Sequence, residues 1–257
     1  QPLGGCFGGT LLRLASVILQ ETGMHFAADK ALHTRIQGCR ICDSSELGLV
    51  LDLGRQPPAN SLRRPVDGPL PAIPLELVRC SRCGTLQLSE TVDPGYLFRR
   101  YVWVTGTARA SRDFSQVFCQ ELLARSLRQR PLFVVEVASN DGTFLEAFQS
   151  KGHRVLGVDP AENIAAIANE RGIPTRASFF GREMAGEILR EHGKADCVIV
   201  RNVLPHVANA HDVAEGLASL LADDGTGAVE FHYARRILED LQYDSIYHEH
   251  LCYHSLA

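Results

Sequence analysis

Four cysteines of this 257-residue chain fall into two pairs, Cys39-x-x-Cys42 and Cys80-x-x-Cys83, with 37 residues between them. Each C-x-x-C turn can offer two thiolates to one metal ion, and two such turns complete the tetrahedron that zinc prefers. Four thiolates leave no open coordination position, so the spacing predicts a structural zinc. Gly38 and Gly84 flank the outer cysteines and suit the left-handed turns of such knuckles. The gap is longer than that of a simple ribbon and requires a sizeable insertion. A redox pair, or unconnected buried cysteines, would give the same spacing. Arg40, Arg79 and Arg82 stand nearby, but three arginines are too few to carry a nucleic-acid-binding reading.

A second group surrounds Glu136. The apolar run Leu132–Val137 leads into Ala138-Ser139-Asn140-Asp141-Gly142-Thr143. The turn after the first strand of a doubly wound sheet is where nucleotides bind, and small residues let the backbone pass close to the ligand. Gly142 is the only glycine of this turn, so the G-x-G-x-x-G pattern is absent, and no phosphate-binding G-x-x-x-x-G-K-[ST] occurs. A second acid, Asp159, ends the next apolar run and could accept hydrogen bonds from ribose hydroxyls. Such a site suits a nucleoside without a pyrophosphate, and S-adenosylmethionine, cationic and free of phosphate, is the candidate. The plainer reading of Asp159 is a helix cap ahead of Pro160.

The elements that must position these residues are legible from residue 132 onward. Strands are expected at 132–137, 154–159, around 174–177, at 197–201 and at 226–231. Helices are expected at 144–151, 161–171, 182–192 and 210–221. Strands that are apolar throughout and alternate with helices predict an α/β, doubly wound parallel sheet covered on both faces. Residues 93–130 read as a helical connection with Phe114, Phe118, Leu122 and Leu127 at helical spacing. Tyr101–Thr107 interrupts it as a loop or short strand, in which Tyr101 and Trp103 read more readily as core aromatics than as ligand contacts. Residues 37–92 are rich in turn signals such as Gln56-Pro57-Pro58-Ala59-Asn60, and predict a small loop-rich unit that needs a metal staple.

Composition narrows the classes. Apolar residues make up 45% and charged residues 22%, which excludes a disordered or fibrous chain. Lysine and arginine number 26 against 30 acids, a net charge of −4, so neither nucleic acid nor membrane is an expected partner. No apolar run is long enough to span a bilayer, and no export signal precedes Leu11–Leu19. Cysteine pairs without an export signal favour metal over disulfide in a reducing cytoplasm. The chain begins with Gln, and its methionines are Met24 and Met184, so it reads as a fragment with a leader of unknown origin over residues 1–36.

Several runs together resemble the S-adenosylmethionine-dependent sugar C-methyltransferases. They are Glu136–Thr143, Gly157-Val158-Asp159-Pro160-Ala161-Glu162-Asn163-Ile164, Arg201-Asn202-Val203-Leu204-Pro205-His206 and Tyr247-His248-Glu249-His250-Leu251. The cysteine pairs, with Leu51–Gly54 and Gln56–Asn60, are similar to that family's zinc-binding domain. The resemblance covers roughly residues 38–257 and implies a class I methyltransferase core. It also implies methylation of a carbon, typically C-3, of a nucleotide-linked keto-deoxysugar. Carbon methylation needs a carbanion equivalent, so a base must remove a proton alpha to the ketone. The resemblance makes His250 that base, with Tyr247, Glu249, His206 and Tyr101 around the keto group or the sugar. It adds Pro160 and Asn202 to Glu136, Ala138, Ser139, Asn140, Gly142 and Asp159 as cofactor contacts. Taken without it, the imidazoles of 248–254 could equally form a surface cluster or an adventitious metal site.

Three departures from the family pattern stand out. Ala138 replaces a usual glycine, His232 stands in Glu230-Phe231-His232-Tyr233 where proline is usual, and the family continues beyond position 257 with a further C-terminal domain. Residues 234–257 then read as the truncated start of that domain, and weak cofactor binding or marginal stability is expected of the 257-residue chain alone. Two rivals use the same residues. One is an O- or N-methyltransferase on the same core; the other is a non-catalytic zinc-ribbon module joined to a degenerate core.

Overall fold

The computed structural model describes residues 31–126 and 130–256. Most of the proposed leader, and Leu127, lie outside these residues. The core is a five-stranded sheet of β6 (Phe133–Val137), β7 (Arg154–Asp159), β8 (Thr175–Ala177), β9 (Ala195–Arg201) and β10 (Leu221–Glu230). The strand order is β10-β9-β6-β7-β8, and every pairing is parallel. Every residue of β6 is buried, because both faces of the sheet are covered.

On one face Val134 packs with Cys119, Leu122, Leu145, Phe148 and Ala168. These come from α2 (Arg109–Arg125), α3 (Thr143–Gln149) and α4 (Glu162–Glu170). On the other face Val135 and Val137 pack with Ala185, Ile188 and Leu220, from α5 (Arg182–His192) and α6 (Ala210–Leu220). The chain winds outward from β6 through β7 and β8, then returns to build β9 and β10 on the other side. The crevice where the winding reverses opens at the C-terminal ends of β6, β7 and β9, where such sheets bind ligands.

The segment before the core is not one helix. A five-residue α1 (Pro94–Phe98) and α2 are separated by a strap, residues 99–108, that contains only a short 3-10 turn at Thr105–Thr107.

The cysteine-bearing unit is more regular than its turn-rich sequence suggests. Antiparallel strands β2 (Leu47–Gln56), β3 (Ile73–Cys80) and β4 (Leu86–Leu88) form a sheet. β1 (His33–Arg35) pairs with β5 (Glu90–Val92) beside it. After α7 (Ala234–Glu239) the chain returns to this unit, where β11 (Cys252–Tyr253) pairs antiparallel with β4. Leu251 joins the two halves, accepting from the Leu88 amide at 3.0 Å while donating to the Pro205 carbonyl at 2.6 Å. Leu251 and Tyr253 bury themselves with Leu75, Leu77, Leu88, Ala234 and Ile237. No helix among the described residues is long and apolar enough to cross a membrane.

Candidate functional site

The four thiolates come together as the spacing predicts. All four sulfurs lie within 4.8 Å of one another, with Cys39–Cys83 at 3.5 Å and Cys42–Cys80 at 3.6 Å. A zinc tetrahedron with bonds of about 2.3 Å has sulfur–sulfur edges of about 3.8 Å, so the cluster fits the ion. The knuckles are shaped by left-handed residues after the second cysteine of each pair, Asp43 at φ 59° and Gly84 at φ 79°. Gly38, expected in that role, is not left-handed; a Cβ there would stand 3.0 Å from the Asp43 carbonyl oxygen, so close approach selects it. Gln87 secures the first knuckle by donating to Cys39 Sγ at 3.1 Å and accepting from the Arg40 amide at 3.0 Å. The Arg40 guanidinium is buried and donates to the carbonyls of Leu88 and Glu90, which removes it from any nucleic-acid surface.

A cavity of about 600 Å³ occupies the crevice of the core. Glu136, Ala138, Ser139, Asn140, Asp159, Pro160 and Asn202 all lie on its wall, together with Tyr101 and His206. Gly142 does not. It sits behind the wall at φ 76°, where a Cβ would collide with Ile173, so its part is to shape the turn into α3. Ala138 and Asn140 are also left-handed, at φ 52° and 51°. The turn thus keeps the conformation glycine would give it, at a cost in strain for Ala138.

Asp159 holds this turn. Its two oxygens accept from the Asn140 and Ala161 amides, each at 2.8 Å. The cap and the ribose readings are therefore compatible, since each carboxylate oxygen retains a second lone pair. Burial raises the Asp159 pKa, against the pull of these two amides. Glu136 is fully buried, its Oε2 has no hydrogen-bond partner, and burial pushes its pKa up to about 8 against the pull of Arg201. A buried acceptor on the wall of a cavity calls for a hydrogen-bond donor. The ammonium of a methionyl group supplies one, and a phosphate does not. Arg201 stands beside it, held by Glu230 at 3.1 and 3.2 Å and lying 3.5 Å over the Phe144 ring.

The strap closes over this turn. Asn140 accepts from the Thr105 amide at 2.8 Å and donates to the Trp103 carbonyl at 3.0 Å. Trp103, read as a core aromatic, is 55% exposed on the cavity wall. Asn163 clamps the Tyr101 backbone at both ends, accepting from its amide at 3.0 Å and donating to its carbonyl at 2.9 Å. The Tyr101 ring is thereby aimed at the C-terminal segment.

There the imidazoles and carboxylate of 247–250 separate into different roles. Tyr247, Glu249 and His250 form a layer behind Tyr101 and His206. Glu249 accepts from the Tyr101 hydroxyl at 3.0 Å and from Asn60 Nδ2 at 2.7 Å. His250 Nδ1 donates to the Ser245 carbonyl at 2.8 Å, which fixes the tautomer and leaves Nε2 as an acceptor 3.0 Å from the Tyr247 hydroxyl. The His206 and His232 rings lie 4.8 and 4.6 Å from the His250 ring. Burial lowers the His250 pKa to about 4, with the Ser245 carbonyl opposing, and lowers that of His206 to about 3. Burial, with Glu249 adding, pushes Tyr247 up to about 12. His248 points the other way, toward the Ile73 carbonyl in the zinc unit, and is structural.

Residues 39–98 match the zinc binding domain family Methyltransf_13, and residues 111–257 match the methyltransferase domain family Methyltransf_23. The chain is 36% identical over 224 residues to the C-methyltransferase NovU of Streptomyces niveus, covering 86% of this chain and 53% of that protein. It therefore spans about half the length of that relative. Solved structures that resemble it include DesVI of Streptomyces venezuelae, at 17% identity over 50% of this chain and 53% of that one, with a TM-score of 0.40. The plantazolicin methyltransferase BamL, solved with SAH, matches at 18% over 52% and 51%, with a TM-score of 0.43.

Proposed function

We propose a carbon-methylating reaction for this chain, which belongs to the S-adenosylmethionine-dependent methyltransferase family that carries an N-terminal zinc-binding domain. The acceptor is a carbon, C-3, of a nucleotide-linked keto-deoxysugar. When bound, S-adenosylmethionine supplies an electrophilic methyl group on a sulfonium. Glu136, Asp159 and the 138–140 turn hold it; the remaining chemistry belongs to the 247–250 layer.

The observation that carries this reading is the state of His250. Its Nδ1 proton is committed to Ser245, so Nε2 is unprotonated and accepts from the Tyr247 hydroxyl, and the ring is neutral at any pH well above about 4. Nε2 takes the proton alpha to the ketone, and the C–H electron pair becomes an enolate whose carbon would take the methyl group as the S–CH3 bond breaks, its electron pair staying on sulfur in the departing S-adenosylhomocysteine. Tyr247 supports the step. Its hydroxyl donates to Nε2 in the resting site; with substrate bound it turns to the ketone oxygen, which frees the Nε2 lone pair for the α proton and leaves the hydroxyl donating to the enolate oxygen. Because burial and Glu249 hold the phenol protonated, it acts as a donor throughout.

His250→Ala tests this. It is expected to abolish methyl transfer while leaving S-adenosylhomocysteine affinity within about twofold, because His250 lies outside the cofactor wall. Retained transfer in that variant would point to O- or N-methylation, which needs no carbon base.

A further inference from the structure

The 57–72 connection between β2 and β3 is the insertion that the long gap between the cysteine pairs requires. It reaches out of the zinc unit into the catalytic layer. Asn60 Nδ2 donates to Glu249 Oε1 at 2.7 Å, and the neighbouring Ser61 hydroxyl lies 2.9 Å from the Tyr96 hydroxyl on α1. We propose that Asn60 is a positioning residue of the methyl-transfer site: it fixes Glu249 Oε1 so that Oε2 is presented to Tyr101. The zinc unit then builds one wall of the site. This inference rests on the carbon-methylation reading for its consequence, but not for its geometry.

Glu249 is buried and has two oxygens to satisfy. One donor comes from the strap and one from the zinc unit, and together they satisfy both oxygens. Burial disfavours the charged carboxylate, while the Asn60 and Tyr101 donors favour it, Asn60 more than Tyr101. The titratable groups facing Glu249 are Tyr101 and Tyr247, and the His206 ring faces its backbone. None of these is a cation that would replace Asn60. β2 and β3 meet the knuckles at one end of their hairpin, Leu47 opposite Cys80, and hold the 57–72 loop at the other, Gln56 opposite Ile73. β11 ties Glu249's own segment to β4 of the same sheet. Asn60 and Glu249 are thus held by one scaffold although 189 residues separate them.

The test follows the Glu249 carboxyl by carbon NMR in the full chain labelled with 13C-carboxyl glutamate, assigned by Glu249→Gln and run without ligand. Asn60→Ala is expected to raise the Glu249 titration midpoint by about 1–2 pH units, the value of a hydrogen bond to a charged group. Asn60→Asp puts two carboxylates in contact, so one proton is shared and the midpoint rises further. Each variant should retain one zinc by native mass spectrometry. In both, methyl transfer to a 4-keto-deoxysugar nucleotide should fall about tenfold or more in kcat with the cofactor KM unchanged, and Asn60→Asp should recover toward acidic pH. An unmoved Glu249 midpoint in a zinc-loaded variant overturns the proposal. If Asn60→Ala loses zinc, the near-isosteric Asp variant decides alone. A shifted midpoint together with transfer of the methyl group to oxygen or nitrogen, by the protein as its gene encodes it, refutes the carbon-methylation reading and leaves the Asn60–Glu249 coupling standing.

Discussion

The Tyr101 hydroxyl donates to Glu249 Oε2 at 3.0 Å, joining a strap ahead of the core to a segment 148 residues later. The contact seats the 247–250 layer against the cavity, because Asn163, four residues after Asp159, grips the Tyr101 backbone. Tyr101→Phe removes the donor and keeps the ring. Steady-state kinetics should show kcat reduced about tenfold to a hundredfold and an unchanged KM for cofactor. An equal loss in both would mean that Tyr101 serves the cofactor directly.

Glu136 makes a protonic prediction. Burial places its pKa at about 8, so at pH 7 it is mostly protonated, and a cationic ammonium against Oε2 favours its ionised form. Binding of S-adenosylhomocysteine at pH 7 should therefore release up to one proton, and the release should vanish in Glu136→Gln. Calorimetry in two buffers of different ionisation enthalpy measures it.

Ala138 is the strained residue of the turn, at φ 52° where the family pattern has glycine. Ala138→Gly should stabilise the chain by about 1 kcal/mol in urea unfolding. A loss of stability would mean that the methyl group makes a compensating contact.

The buried histidines set the acid limit. The folded-state values of His206 and His250, about 3 and about 4, lie below the ordinary value near 6.5. The unfolded chain then binds more protons between these values, so the stability they contribute is full above about pH 6.5. It declines as pH falls toward 4, with His250 accounting for roughly 3 kcal/mol. His250→Asn should flatten that decline in a pH series of unfolding midpoints.

Removing the metal should affect more than its own unit. Cys80→Ser is expected to bind no zinc. Because β11 pairs with β4, its amides at 251–253 should lose hydrogen-exchange protection along with the knuckles. Protection retained at 251–253 would mean that the C-terminal segment holds its place without the zinc sheet.

The sequence makes the alternating core legible because period and composition agree there: β6 is apolar at nearly every position, and each following helix begins near its expected residue. The cysteine pairs are legible because four thiolates at that spacing suit one ion. Three things were not. β2 lies hidden because it is largely exposed on both faces, with Leu49 and Val50 open to solvent, and so shows no clean alternation. Gly142 reads as a cofactor contact because a turn glycine signals either ligand approach or backbone handedness, and here Ile173 fills the space beside it. Asn60, Asn163 and Arg201 sit within recognisable motifs, but their partners are far away in sequence, and local pattern carries no information about them.

The most direct test of the central claim supplies S-adenosylmethionine with a 13C-labelled methyl group and a 4-keto-deoxysugar nucleotide to the protein as its gene encodes it. The product is then examined by carbon NMR. The account predicts a labelled methyl bonded to a ring carbon alpha to the ketone, and its loss in His250→Ala. A label on oxygen or nitrogen, or a carbon-linked label that survives without His250, would contradict it.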